Sequence, residues 1–166
     1  MSGTTIRLDS HFERWESWLK NLDKKDVDRM KDRVLRTAGL RTLEYVHDLT
    51  PRRTGRLQNS FSMGGSDNVF SVKVSRKVSK AVVGTNVPYA RHINDGFTQK
   101  AGQFVPGVWS NGTFHYQPGA ATGMVLTGKT IEGAHMFEKA MDYLEDDIPR
   151  IMEYEIRRLW HELGGG

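Results

Sequence analysis

The chain has 166 residues, 37% of them apolar and 27% charged, which suits one domain with a real core. It has no cysteine, so disulfides, thiolate metal sites and a cysteine nucleophile are excluded. No apolar run approaches the roughly 20 residues of a membrane-crossing helix, and the opening MSGTTIRLDSHFERW lacks a secretory apolar stretch; the expectation is a protein made in the cytoplasm with no membrane partner.

The first expected element is a short amphipathic helix over 10–22. Ser10 and Glu13 form a capping box, and Phe12, Trp15, Trp18, Leu19 and Leu22 make one apolar stripe. Two tryptophans on that stripe read as packing rather than a ligand site. A second helix is expected from Asp26 to Leu49, buried along Val27, Met30, Val34, Ala38, Tyr45, Val46 and Leu49. Gly39 lies inside it, at a cost of about 1 kcal/mol against alanine. Pro51 ends it, because the residue before a proline is pushed out of helical geometry.

Residues 50–63, TPRRTGRLQNSFSM, open a turn or short strand at Thr54–Gly55, anchored by Leu57 and Phe61 and crowded by Arg52, Arg53 and Arg56. The phosphate-loop pattern is absent. Phe70, Val72 and Val74 alternate with polar residues as in a half-buried strand, and Val78–Val83 gives a second. With Arg76–Lys77 between them they predict an antiparallel hairpin. Pro88 to Asp95 predicts one helical turn with proline at its first position, ended by Gly96. Residues 97–135 form a long excursion without helical period. Inside it Asn111-Gly112, flanked by Trp109 and Phe114, signals a tight hairpin. The last helix is expected from Met136 to Leu163, kinked or broken at Pro149 with a new start near Asp147. The fold class is α+β, a small antiparallel sheet with helices at both ends of the chain.

Charge is unevenly placed. Residues 51–131 hold ten Lys/Arg against two Asp/Glu, whereas residues 132–166 hold four against nine. The basic middle meets nucleic acid, meets the acidic tail of a second subunit, or is neutralised within the fold. The basic 52–80 region, with Lys73, Arg76, Lys77 and Lys80 on its hairpin, makes a non-specific nucleic-acid-binding module the alternative function. Its plainer reading is a lysine-guarded strand edge.

Catalysis has little support. The histidines lack the zinc-protease spacing, and a site from His92, His115 and His135 is conceivable but unannounced by any pattern. There is no serine elbow, and the basic middle holds only Asp67 and Asp95 as acids. No enzyme activity, cofactor or metal is expected.

Several pieces stand in a recognisable order: Thr50-Pro51, then Thr54-Gly55-x-Leu57-x-x-Ser60; Val83-Gly84-Thr85 leading to Pro88-Tyr89-Ala90 and Asp95-Gly96; then His135-Met136-Phe137 with Ala140 before a long helix. This resembles the tail-completion or head–tail joining (neck) proteins of tailed bacteriophages and defective prophages, over about residues 26–163. The chain departs from that pattern in carrying Asn94-Asp95-Gly96 where the family has glutamate–aromatic–glycine, and in a longer 97–135 region. The resemblance implies a non-catalytic virion protein forming a homo-oligomeric ring, commonly a hexamer. Its partners would be head connector or stopper proteins and tail terminator and tube proteins, with DNA passing through the lumen. It implies subunit or partner contacts at Pro51, Gly55, Leu57, Pro88, Tyr89, Asp95, Gly96, Trp109 and Phe114. Lumen-facing cations would be Arg76, Lys77, Lys80 and Lys100. The organisation expected is a single domain: an N-terminal helical extension over 1–25, a core over 26–163, and a protruding loop with hairpin at 97–135.

Overall fold

A computed structural model describes residues 2–7, 23–52 and 55–163. The elements run β1 (Ser2–Arg7), α1 (Lys24–Leu49), α2 (Arg56–Asn59), β2 (Asn68–Lys73), β3 (Lys80–Thr85), α3 (Ala90–Asp95), β4 (Gly96–Thr98), β5 (Phe104–Ser110), β6 (Thr113–Tyr116), β7 (Gly123–Val125), β8 (Thr130–Glu132) and α4 (Met136–Glu162). The class is α+β, as the alternation and the helical stripes predict. The chain divides into two compact units, one of residues 1–90 and 135–166, the other of residues 91–134.

In the first unit β1, β3 and β2 form an antiparallel sheet with β3 in the middle. The expected hairpin is therefore present, and β1 adds a third strand that no residue pattern announces. Within the N-terminal extension, residues 2–7 are strand rather than helix; the helix expected over 10–22 lies outside the described residues. β1 is only six residues long and carries two threonines, a glycine and one isoleucine, too short and polar a run to stand out by alternation.

α1 starts two residues before its expected start because the Asp23 carboxylate accepts from Lys25 N at 3.1 Å and caps the first turn. It packs along α4. Met30, Val34, Leu35 and Ala38 of α1, Ala81 of β3, and Leu144, Ile151, Met152 and Leu159 of α4 form the core. Gly39 has a packing reason: a Cβ there would lie 2.7 Å from Phe70 Cε2. The missing side chain lets α1 and the sheet approach closely. α4 runs unbroken from Met136 to Glu162 with Pro149 inside, so of the two expectations, a kink at Pro149 or a break near Asp147, the break is absent. Proline removes one hydrogen bond, but buried Leu144 and Ile151 on either side enter the same core and hold the helix continuous.

The helices are also tied by polar contacts. Arg33 Nε donates to Glu155 Oε2 at 2.6 Å, and its Nη1 reaches Glu162 at 3.3 Å. Burial would lower the Arg33 pKa, but the bonds and charges of Glu155 and Glu162 outweigh it and hold it raised. Tyr45 donates its hydroxyl to Asp147, which raises the Tyr45 pKa, and its ring meets Tyr143 edge-on at 5.5 Å.

The second unit is built on close backbone approach. β4 pairs with β8, and β5 is flanked by β6 and β7, all antiparallel. At Gly96, φ is 75° and a Cβ would meet Ile131 O at 2.4 Å; at Gly133 it would meet Asn94 O at 2.1 Å. Two chain crossings therefore press together where only glycine fits. Ala134 N donates to Ile93 O at 2.8 Å across the same junction.

Candidate functional site

Three regions hold the candidate residues. The first is the corner after α1. Thr50 Oγ1 donates to Val46 O at 2.5 Å and lies 3.2 Å from Met136 Sδ, which turns the chain before Pro51. Gly55 adopts φ 74° at the head of α2, a short helix where a turn or strand was expected. Gln58 Nε2 donates to His47 O at 3.2 Å, and Gln58 Oε1 accepts from Arg52 Nε at 2.8 Å. Thr85 Oγ1 donates to Ser60 Oγ at 2.7 Å, while Ser60 O accepts from Asn68 Nδ2 at 3.1 Å. Phe61 meets Phe137 edge-on at 5.7 Å. Gln58 and Ser60 thus clasp the end of α1 to α2, β2 and β3. Leu57, expected at an interface, is packed inside its own chain. Pro51, Pro88 and Tyr89 are exposed.

The second region is the unit over 91–134. Asp95 is exposed and accepts from Arg91 Nε at 3.2 Å and Asn94 Nδ2 at 2.8 Å. The Asn-Gly hairpin forms as expected: Asn111 and Gly112 take φ 48° and 76°, and Trp109 pairs with Phe114 across the strands, their rings 5.4 Å apart. Phe114 covers Gly107 on one face, and Phe104 covers Gly123 on the other. Phe104, Val108, Trp109, Tyr116 and Val125 are all exposed, within a run from Ala101 to Gly128 that holds no charged residue. Lys100 is exposed beside it, in a different unit from the other cations assigned to a lumen.

The third region is the end of the three-stranded sheet. Ser75 and Ser79 staple the β2–β3 loop: Ser75 Oγ donates to Val78 O at 2.5 Å, and Ser79 Oγ to Ser75 O at 3.2 Å. The loop, between Lys73 and Lys80, is therefore wider than the expected two-residue Arg76–Lys77 turn. Lys73, Arg76, Lys77 and Lys80 are exposed. Arg7, Lys80 and Lys73 occupy one cross-strand row. Arg7 was missed because nothing in the sequence announced β1.

Among the described residues no group of three His, Asp or Glu could hold a metal ion, and His92, His115 and His135 are not brought together. His92 instead packs edge-on against Phe97 at 5.6 Å.

Comparison with known proteins decides the family. Residues 16–96 match the family described as "Bacteriophage HK97-gp10, putative tail-component". The chain is also 30% identical over 156 residues to the uncharacterized protein YqbI of Bacillus subtilis (strain 168), covering 90% of this chain and 85% of that protein. The chain belongs to the HK97 gp10-like family of bacteriophage tail components. Phage-like element PBSX protein XkdI of the same organism is similar too, 33% identical over 146 residues, 84% of this chain and 89% of that protein. No solved structure matches. The family match ends at Gly96, inside the second unit, whereas YqbI and XkdI match across most of the chain. Among the described residues no helix is long and apolar enough to cross a membrane.

Proposed function

We propose that this protein is a structural ring subunit of the neck of a phage or phage-like particle, joining the head connector to the tail tube around the DNA channel. The observation that carries the reading is membership of a phage tail-component family, with XkdI of a phage-like element similar over most of its length. The architecture suits it: the corner after α1 is a clasp that builds the fold, and the exposed groups are apolar side chains and cations suited to contact rather than to catalysis. In this reading the protein resides in the virion and assembles as a homo-oligomer, a hexamer. Its neighbours are connector or stopper proteins on one side and tail terminator and tube proteins on the other. Pro51, Pro88, Tyr89, Trp109 and Phe114 lie on or next to surfaces that meet those neighbours. DNA passes through the lumen without its sequence being read, with Lys100 along its path; Arg76, Lys77 and Lys80 serve a protein contact instead.

Removing the gene from a producing particle tests this. Heads and tails should then accumulate unjoined in electron micrographs. Normal joined particles would contradict the reading. The cationic sheet end also favours a second reading, a non-specific nucleic-acid-binding module. That reading requires the isolated monomer to bind duplex DNA with a steep salt dependence.

A further inference from the structure

We propose that the cationic end of the β1–β3–β2 sheet in one copy docks on the acidic first half of α4 in a second copy. The inference rests on the ring reading above and names the contact that would propagate it.

The helices of this protein pair their charges within one turn. Lys24 reaches Asp28 at 3.7 Å, Arg36 reaches Asp32 at 2.6 Å, Arg157 reaches Glu153 at 2.6 Å and Arg158 reaches Glu162 at 3.0 Å. Two exposed stretches of the first unit depart from this habit, and they carry opposite signs. At the sheet end, Lys73, Arg76, Lys77 and Lys80 make no ion pair among the described residues. Lys73 and Lys80 even stand opposite each other, a pairing that costs stability unless an anion lies across it. In α4, residues 138–147 hold five acids and one lysine, and exposed Asp142, Glu145 and Asp146 make no ion pair among the described residues.

Unlike patches on one unit attract copies head-to-tail, and such a heterologous contact leaves one patch of each sign free for the next copy. The same geometry favours a second copy over duplex DNA. A polyanion gains at the sheet end but is repelled by α4, whereas a second copy satisfies both.

The test uses the full chain in sedimentation and light scattering across protein and salt concentration. One variant carries Lys73→Glu, Arg76→Glu, Lys77→Glu and Lys80→Glu; the other carries Asp142→Lys, Glu145→Lys and Asp146→Lys. All seven positions are exposed, and circular dichroism checks that both variants fold. The wild type should self-associate and weaken with salt, and each variant should weaken at least about tenfold. An equimolar mixture of the two should recover association, because each then offers the other the patch it lacks. Variants that associate as the wild type does would overturn this contact and leave the ring reading standing. A wild type that is monomeric at every concentration and salt would overturn the contact too. So would a basic-to-acidic variant that loses only its affinity for a mixed-sequence duplex.

Discussion

Gly39 illustrates two opposed effects at one residue. In isolation an alanine there would favour the helix by about 1 kcal/mol. In the folded protein its Cβ would press on the Phe70 ring at 2.7 Å, and overpacking costs about 1–3 kcal/mol. Gly39→Ala should therefore lose up to about 2 kcal/mol in denaturant unfolding; a stabilised variant would mean that Phe70 yields freely. Gly96 leaves less room for argument, because its neighbours are backbone atoms and its φ is positive. Gly96→Ala should loosen residues 96–132 in amide exchange while α1 and α4 stay protected; unchanged protection would contradict the close approach. Glu162 supplies the pH dependence. Burial raises its pKa, but the bonds and charges of Arg158 and Arg33 prevail and lower it below the ordinary 4.5. A lowered carboxylate pKa stabilises the fold above the unfolded value, and that contribution is lost as pH falls through the folded value. Glu162→Gln should thus melt lower than the wild type near neutrality, with the gap closing below about pH 4.5. A gap independent of pH would show that shape rather than charge matters at this position.

At the scale of elements, what could be read beforehand was whatever local chemistry dictates. The α1 and α4 stripes, the Phe70–Val74 alternation and the Asn111-Gly112 turn each carry a periodic or conformational signal within a few residues. β1 carries none; it exists because β3 has a free edge to pair with, which is a non-local fact. The small strands β4, β7 and β8, three residues each, are likewise set by cross-chain pairing and by Gly96 and Gly133. Continuity of α4 through Pro149 is a tertiary override: propensity asks for a break, and the packing of Leu144, Ile151 and Met152 refuses it. Pro149→Ala should accordingly raise stability by up to about 3 kcal/mol. No gain on thermal melting would mean that the proline fits a bend the packing requires. The candidate site was legible in part for the same reason. Exposed Trp109 and the Arg76–Lys77 loop follow from the turns that carry them, whereas the burial of Leu57 depends on α2, β2 and β3 meeting.

For the whole molecule, the two units differ in what they carry. The first unit holds the helical core, the clasp after α1 and the segregated charges; the second offers an uncharged surface with exposed Trp109 and Tyr116. Deleting residues 109–116 should leave the first unit folded and impair joining to a partner, since their hydrogen bonds are confined to the second unit. Loss of the α1–α4 core in that variant would contradict the division. The central claim remains assembly. Light scattering coupled to size exclusion, on the protein alone and then mixed with the products of its neighbouring genes, measures it directly. A ring-sized species is expected in one or both, with a mass that gives the subunit count. A monomer in both, with no higher species at any concentration, would contradict it.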